Sequence, residues 1–209
     1  MISRRGLIKE SRLYVILDRD IPGANIYAVA RQAGKAGADI MQLRGKHSSQ
    51  SELFKTALAL KKITKRARIP FIINDDPALT VAVGADGLHL GRGDIDIGLA
   101  RRLLGRDKLI GVSAKSYKQA LAAKKAGADY LGIGPVFRTP VKRWLAPRGF
   151  GLLRKVRRLG IPSFAIGGIN MNNISKVTAK GFKRIAVIRA VSAAKNPYLA
   201  CKRLKAALA

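Results

Sequence analysis

Short, continuous apolar runs alternate with longer segments of helical spacing, eight times over and almost without interruption. The runs are LYVIL (13–17), IMQL (40–43), FIIN (71–74), GLHL (87–90), LIGVS (109–113), YLGIG (130–134), SFAI (163–166) and RIAVI (184–188). They are apolar throughout rather than alternating, as strands are when both faces are buried. Helical segments follow them near 26–36, 51–66, 78–83, 98–104, 117–126, 151–159, 171–180 and 197–207. Four connections share one kind of turn: KAGAD at 35–39, VGADG at 83–87, KAGAD again at 125–129 and AKGF at 179–182. Glycine there supplies the left-handed stop that ends a helix. Eight strand–helix units in 209 residues predict an α/β chain folded as a single (β/α)8 TIM barrel over 1–209, with 1–12 as a basic N-terminal extension. A doubly wound open sheet is the rival. Either arrangement puts chemistry at the C-terminal ends of the strands.

Composition narrows the class. Hydrophobic residues make up 48%, which suits a packed core, and no stretch reaches the roughly 18 apolar residues of a membrane span. The opening MISRRGLIKESRLY is basic but lacks the apolar core of a secretory signal. Cys201 is the only cysteine, so no internal disulfide forms and a reducing cytoplasm fits. Forty-one Lys and Arg against 12 Asp and Glu give a net charge of +29. Such a field attracts nucleic acid nonspecifically. The basic residues are spread along helical segments, however, with no zinc-finger spacing and no RNP-like aromatic motif. Small-molecule partners are therefore expected, with no membrane partner; homo-oligomerisation is left open.

In a chain so short of acids, Asp75 and Asp94 stand out, each just past a strand run. They could share a Mg²⁺, which takes carboxylates together with phosphate oxygens and water. Arg44, Lys46 and Lys142 fall at strand ends of the same rim and could neutralise a diphosphate. Gly167-Gly168 would let backbone amides approach a second phosphate, where barrels often bind one. Each feature has a plainer reading. NDD before Pro77 is also a helix N-cap, lysines are common on a basic surface, and His89 within GLHL reads as a barrel-interior residue. Their convergence on one rim favours a site built for a metal-bound diphosphate.

The ordered set QLRGK, NDD, GLHLGRGD, GVSAKS, ADYLGIGPVFRTPVK, AIGGI and AVIRAVS resembles the thiamine-phosphate synthase family over nearly all of 13–197. That resemblance implies a barrel joining hydroxymethylpyrimidine diphosphate to thiazole phosphate with Mg²⁺, by a dissociative displacement that needs no discrete nucleophile or base. It implies that Gln42, Arg44, Lys46, Asn74, Ser113 and Lys142 bind the pyrimidine diphosphate, and that Asp75 and Asp94 ligate the metal. Thr139, Val141, Gly168, Ile188 and Arg189 would face the thiazole phosphate. The chain departs from the family pattern in places. Gly45 replaces an acid, Arg92-Gly93 replace Gln-Glu, Val141 replaces a threonine and Arg189 a small serine. The diphosphate half reads as retained and the acceptor half as altered. Two alternatives are a thiazole tautomerase, whose sixth-strand histidine is here Pro135, and a degenerate paralogue that binds thiamine precursors without turnover.

Overall fold

The computed structural model describes residues 4–91, 93–139 and 146–209. Its eight strands are β1 (Leu13–Asp18), β2 (Ile40–Arg44), β3 (Phe71–Asn74), β4 (Gly87–Leu90), β5 (Leu109–Ala114), β6 (Tyr130–Ile133), β7 (Ser163–Ile166) and β8 (Ile185–Val187). All pair in parallel and in chain order, and β8 returns to β1. That closure excludes the open sheet.

Among the described residues the helices are α1 (Arg4–Glu10), α2 (Ile26–Lys35), α3 (Gln50–Ala67), α4 (Pro77–Ala82), α5 (Ile97–Leu104), α6 (Tyr117–Lys125), α7 (Gly149–Arg157), α8 (Ile174–Thr178), α9 (Arg189–Ser192) and α10 (Pro197–Ala206). Apolar spacing gives no sign of α1 or α9, which are too short to show a period. The extension expected at 1–12 thus contains a helix, and its Ile8 joins the barrel-interior cluster. Helix starts use local caps. Ser49 and Glu52 form a reciprocal capping box on α3, and Asp76 and Asp96 cap α4 and α5.

The strands bury both faces, with side-chain direction alternating along each. Leu13, Val15, Leu17, Met41 and Leu43 pack outward against the helices. Tyr14, Ile16, Ile40, Ile72, Tyr130 and Phe164 fill the interior. Large interior side chains need vacancies beside them, and glycines provide these. A Cβ on Gly111 would lie 2.0 Å from Cζ of Tyr130, and one on Gly87 2.4 Å from the Leu109 carbonyl oxygen. Followed upward, the same inward parity reaches Asp18, Gln42, Arg44, Asn74, His89 and Ser113. The strands themselves therefore aim these polar residues at one end of the barrel axis.

The opposite rim is held by carboxylates. The aspartate of each GAD turn directly precedes a strand and reaches back to the start of the strand before it. Asp39 accepts from the Arg12 and Leu13 amides at 2.8 Å, Asp86 from Phe71 at 3.0 Å and Asp129 from Ile110 at 2.8 Å. Each also pairs with a cation: Lys205, Lys61 and Arg101 respectively. The fourth turn lacks this clasp. Arg184 occupies the equivalent place before β8 and donates to the Lys9 carbonyl of α1.

Candidate active site

At the upper rim a cavity of about 110 Å³ is lined by Gln42, Arg44, Asn74, His89, Ser113 and Thr139, with Ile16, Ile166 and Ile188 forming an apolar wall. Gln42 is 2% exposed, and its Nε2 has no hydrogen-bond partner among the described residues. A buried donor left this way costs about 1–3 kcal/mol, so it marks where a ligand acceptor belongs. Arg44 is held by two acids that the sequence reading overlooks. Its Nη1 lies 2.6 Å from Asp18 Oδ2 and 3.4 Å from Asp20 Oδ2. Burial pushes the Asp18 carboxyl above its ordinary value, and the guanidinium pulls the other way. Asp20 also accepts from the Lys46 and His47 amides, at 2.9 and 3.3 Å, which shapes the loop carrying Lys46. Lys115, also overlooked, brings another cation to the cavity. The parity that aims Arg44 inward could have found Asp18 too; Asp20 and Lys115 lie past strand ends, where parity lapses.

Asp75 and Asp94 come together. Asp75 adopts a left-handed backbone, φ +64°, and its amide donates to the His89 carbonyl at 2.9 Å. Asp94 is fixed by the Gly91 amide, 2.6 Å from its Oδ2. The two carboxylates converge over Gly91, where an added Cβ would lie 3.3 Å from Asp94 Oδ2 and 3.7 Å from Asp75 Oδ1. Burial, then the hydrogen bond and charge of Asp94, push the Asp75 carboxyl up to about 6, while Lys46 acts against them. Lys46 Nζ lies 3.6 Å from Asp75 Oδ2. Two crowded carboxylates suit a hard divalent ion, which relieves their repulsion. No third carboxylate, histidine or cysteine joins them among the described residues, leaving coordination positions for phosphate oxygens and water. Mg²⁺ fits this donor set. The N-cap reading of NDD belongs to the neighbour: Asp76 accepts from the Leu79 amide at 2.8 Å.

Beyond Thr139 a second cleft, about 320 Å³, is lined by Gly167, Gly168, Ile188 and Arg189. Gly167 and Gly168 have φ of +102° and +67°. A Cβ on Gly168 would meet the Arg138 carbonyl oxygen at 2.3 Å, so only glycine fits. Asn173 and Asn170 both donate to the Gly168 carbonyl, at 2.9 and 3.3 Å, and fix that turn. Thr139 borders both cavities. Val141 and Lys142 lie outside the described residues, as do Arg92 and Trp144.

Residues 13–191 match the family model described as thiamine monophosphate synthase. The chain belongs to that family. Its sequence is 44% identical to the thiamine-phosphate synthase of Chloroflexus aurantiacus over 202 residues, covering 95% of this chain and 93% of the relative. It is 41% identical to the thiamine-phosphate synthase of Clostridium novyi over 183 residues, covering 86% and 90%. Among solved structures, the thiamine phosphate pyrophosphorylase from Pyrococcus furiosus superposes with a TM-score of 0.87 at 35% identity, covering 97% of each chain. The thiamine monophosphate synthase match thus spans both halves of the rim, from β1 into α9.

Proposed function

We propose that this chain is a transferase that joins hydroxymethylpyrimidine diphosphate to thiazole phosphate, releasing pyrophosphate and forming thiamine phosphate. The observation that carries the reading is the Asp75–Asp94 pair, crowded enough to raise a carboxyl to about 6, beside Lys46 and on the same rim as Arg44. That arrangement suits a metal-bound diphosphate rather than the proton transfer of a tautomerase.

The methylene carbon–oxygen bond breaks with its electron pair leaving on pyrophosphate. The thiazole nitrogen then closes its lone pair on the methylene carbon, and no proton need move. Arg44, Lys46 and Lys142 supply positive charge where the leaving group becomes negative, which is preorganised electrostatic stabilisation. Arg44 has only Nη1 engaged among the described residues, leaving Nη2 and Nε for phosphate oxygens. Gln42, Asn74 and Ser113 orient the pyrimidine diphosphate. Ile16, Ile166 and Ile188 keep water from the electron-poor methylene carbon. A Mg²⁺ held by Asp75 and Asp94 supplies charge neutralisation on the diphosphate. Thr139, Gly168, Ile188 and Arg189 face the thiazole phosphate, with Arg189 in place of the contacts that Val141 lacks.

No helix among the described residues is long and apolar enough to cross a membrane, and the one cysteine, Cys201, is buried. Both fit small-molecule chemistry in the cytoplasm. Nonspecific nucleic-acid affinity would follow from the +29 charge alone and would fall steeply with salt. The test is direct: purified protein, Mg²⁺ and both substrates, followed for thiamine phosphate and pyrophosphate. Equal amounts of the two products are expected, and their absence at saturating substrate and metal would overturn the proposal.

A further inference from the structure

Four polar side chains run in file through the barrel interior and end at the cavity. Tyr14 Oη lies 2.9 Å from Tyr130 Oη, Tyr130 Oη lies 3.2 Å from His89 Nδ1, and His89 Nε2 lies 3.0 Å from Ser113 Oγ. Gly111 makes the file possible by leaving the volume that the Tyr130 ring occupies. Gly132 lies beside His89, whose Cε1 would be in ordinary contact with an added Cβ at 3.4 Å. Tyr14 and Tyr130 are 2% and 0% exposed, and burial pushes both phenols above the ordinary value of 10. Both therefore carry their hydrogens at neutral pH.

Such a file has two directions. In one, Ser113 donates to Nε2, Nδ1–H donates to Tyr130, and Tyr130 donates to Tyr14. The Tyr14 hydrogen then has no acceptor among the described residues, on a side chain only 2% exposed. A stranded hydroxyl of this kind biases the equilibrium against that direction by roughly tenfold to a hundredfold. An imidazolium has the same defect, because its Nδ1–H again turns Tyr130 toward Tyr14. In the other direction Tyr14 donates to Tyr130, Tyr130 donates to Nδ1, and Nε2–H donates to Ser113 Oγ. Every hydrogen that the file holds within the core then has an acceptor. The one left over is on Ser113, at the cavity, where a ligand can take it.

We infer that Tyr130 and His89 are positioning residues: Tyr130 holds His89 as the Nε2–H tautomer, which leaves the Ser113 hydrogen free for the substrate anion. The proposed function enters only in naming that acceptor, an oxygen of the departing diphosphate. A serine that accepts from Nε2–H does not spend its own hydrogen on the histidine. It gives its hydrogen to negative charge, and that contact strengthens as the leaving group gains charge.

The tautomer can be read without turnover. The chain has two histidines, His47 and His89, so ¹⁵N-histidine NMR of the full chain, assigned with His89→Asn, gives the state of each ring. The expected spectrum shows His89 protonated at Nε2 and bare at Nδ1. Tyr14→Phe should retain it, because Tyr130 still donates. Tyr130→Phe should give mixed tautomers and about a tenfold loss in kcat with little change in KM, the equivalent of one hydrogen bond in the transition state. Because Tyr130 acts through Ser113, adding Tyr130→Phe to Ser113→Ala should cost nothing further. An Nδ1–H or doubly protonated His89 in the unaltered protein, or additive losses in the double variant, would overturn the inference. The expected spectrum from a chain that forms no thiamine phosphate would sink the proposed function and leave the tautomer assignment standing.

Discussion

Asp75→Asn separates the charge of the candidate metal site from its shape. Asp75 sits at φ +64°, a region that asparagine enters about as readily as aspartate, so the backbone is retained. In the metal-free protein its carboxyl titrates near 6 rather than at the ordinary 3.8. A raised value means that the ionised form is the unfavourable one. The contribution to stability is whole below pH 3.8 and is lost as pH rises through 6. A shift of about two units at about 1.4 kcal/mol each amounts to about 3 kcal/mol at neutral pH and above. The side chain is 29% exposed, so solvent screens only part of this. The asparagine variant never acquires the charge. Without metal it should match the parent at pH 4 and exceed it at pH 8 by up to about 3 kcal/mol, or roughly 6–12 °C in Tm for a chain of this size. Urea unfolding with chelator, at both pH values, measures the gap. Mg²⁺ should then stabilise the parent but not the variant, and the variant should lose turnover. Equal stability at pH 8 in chelator, or equal stabilisation of both proteins by Mg²⁺, would refute the reasoning.

Other substitutions probe the remaining parts of the rim. Asp94→Ala should cut turnover severely and bring the Asp75 carboxyl down toward its ordinary range, checked by activity and by carboxyl NMR titration. Arg44→Met should lower stability by about 3–5 kcal/mol in urea unfolding as well as activity, since it strands the carboxylate of Asp18, which is 3% exposed. Arg189→Ser should raise the KM for thiazole phosphate roughly five- to tenfold, the worth of one exposed charge-assisted contact, and leave the diphosphate KM unchanged; an improved KM would show that the arginine obstructs the cleft.

The strands were readable because their burial on both faces leaves an unbroken apolar signature, and the strand runs agree with the observed strands to within one residue at either end. Parity along those strands is also legible. Once Tyr14 and Ile16 are known to point inward, Gln42, Asn74 and Ser113 follow by register with their neighbours. What parity cannot supply is pairing beyond the strand ends. Arg44 reads as a free cation in the sequence, yet Asp18 and Asp20 hold part of it. The difference between Asp75 and Asp76 likewise depends on one left-handed residue that turns the first to the rim and leaves the second to cap α4. Helix α8 runs only Ile174–Thr178 rather than 171–180, because Asn170 and Asn173 are committed to the glycine turn before it.

The carboxylate clasps of the lower rim join β1 to β2, β3 to β4, and β5 to β6. Between β7 and β8 an arginine stands instead, so this quarter of the barrel lacks the clasp that the other three carry. The same two strands carry, at their upper ends, the glycines and Arg189 of the second cleft. An anion seated there would bind across a seam that no such clasp fastens. Amide exchange should therefore open this seam first in the empty protein and slow there most when the acceptor cleft fills.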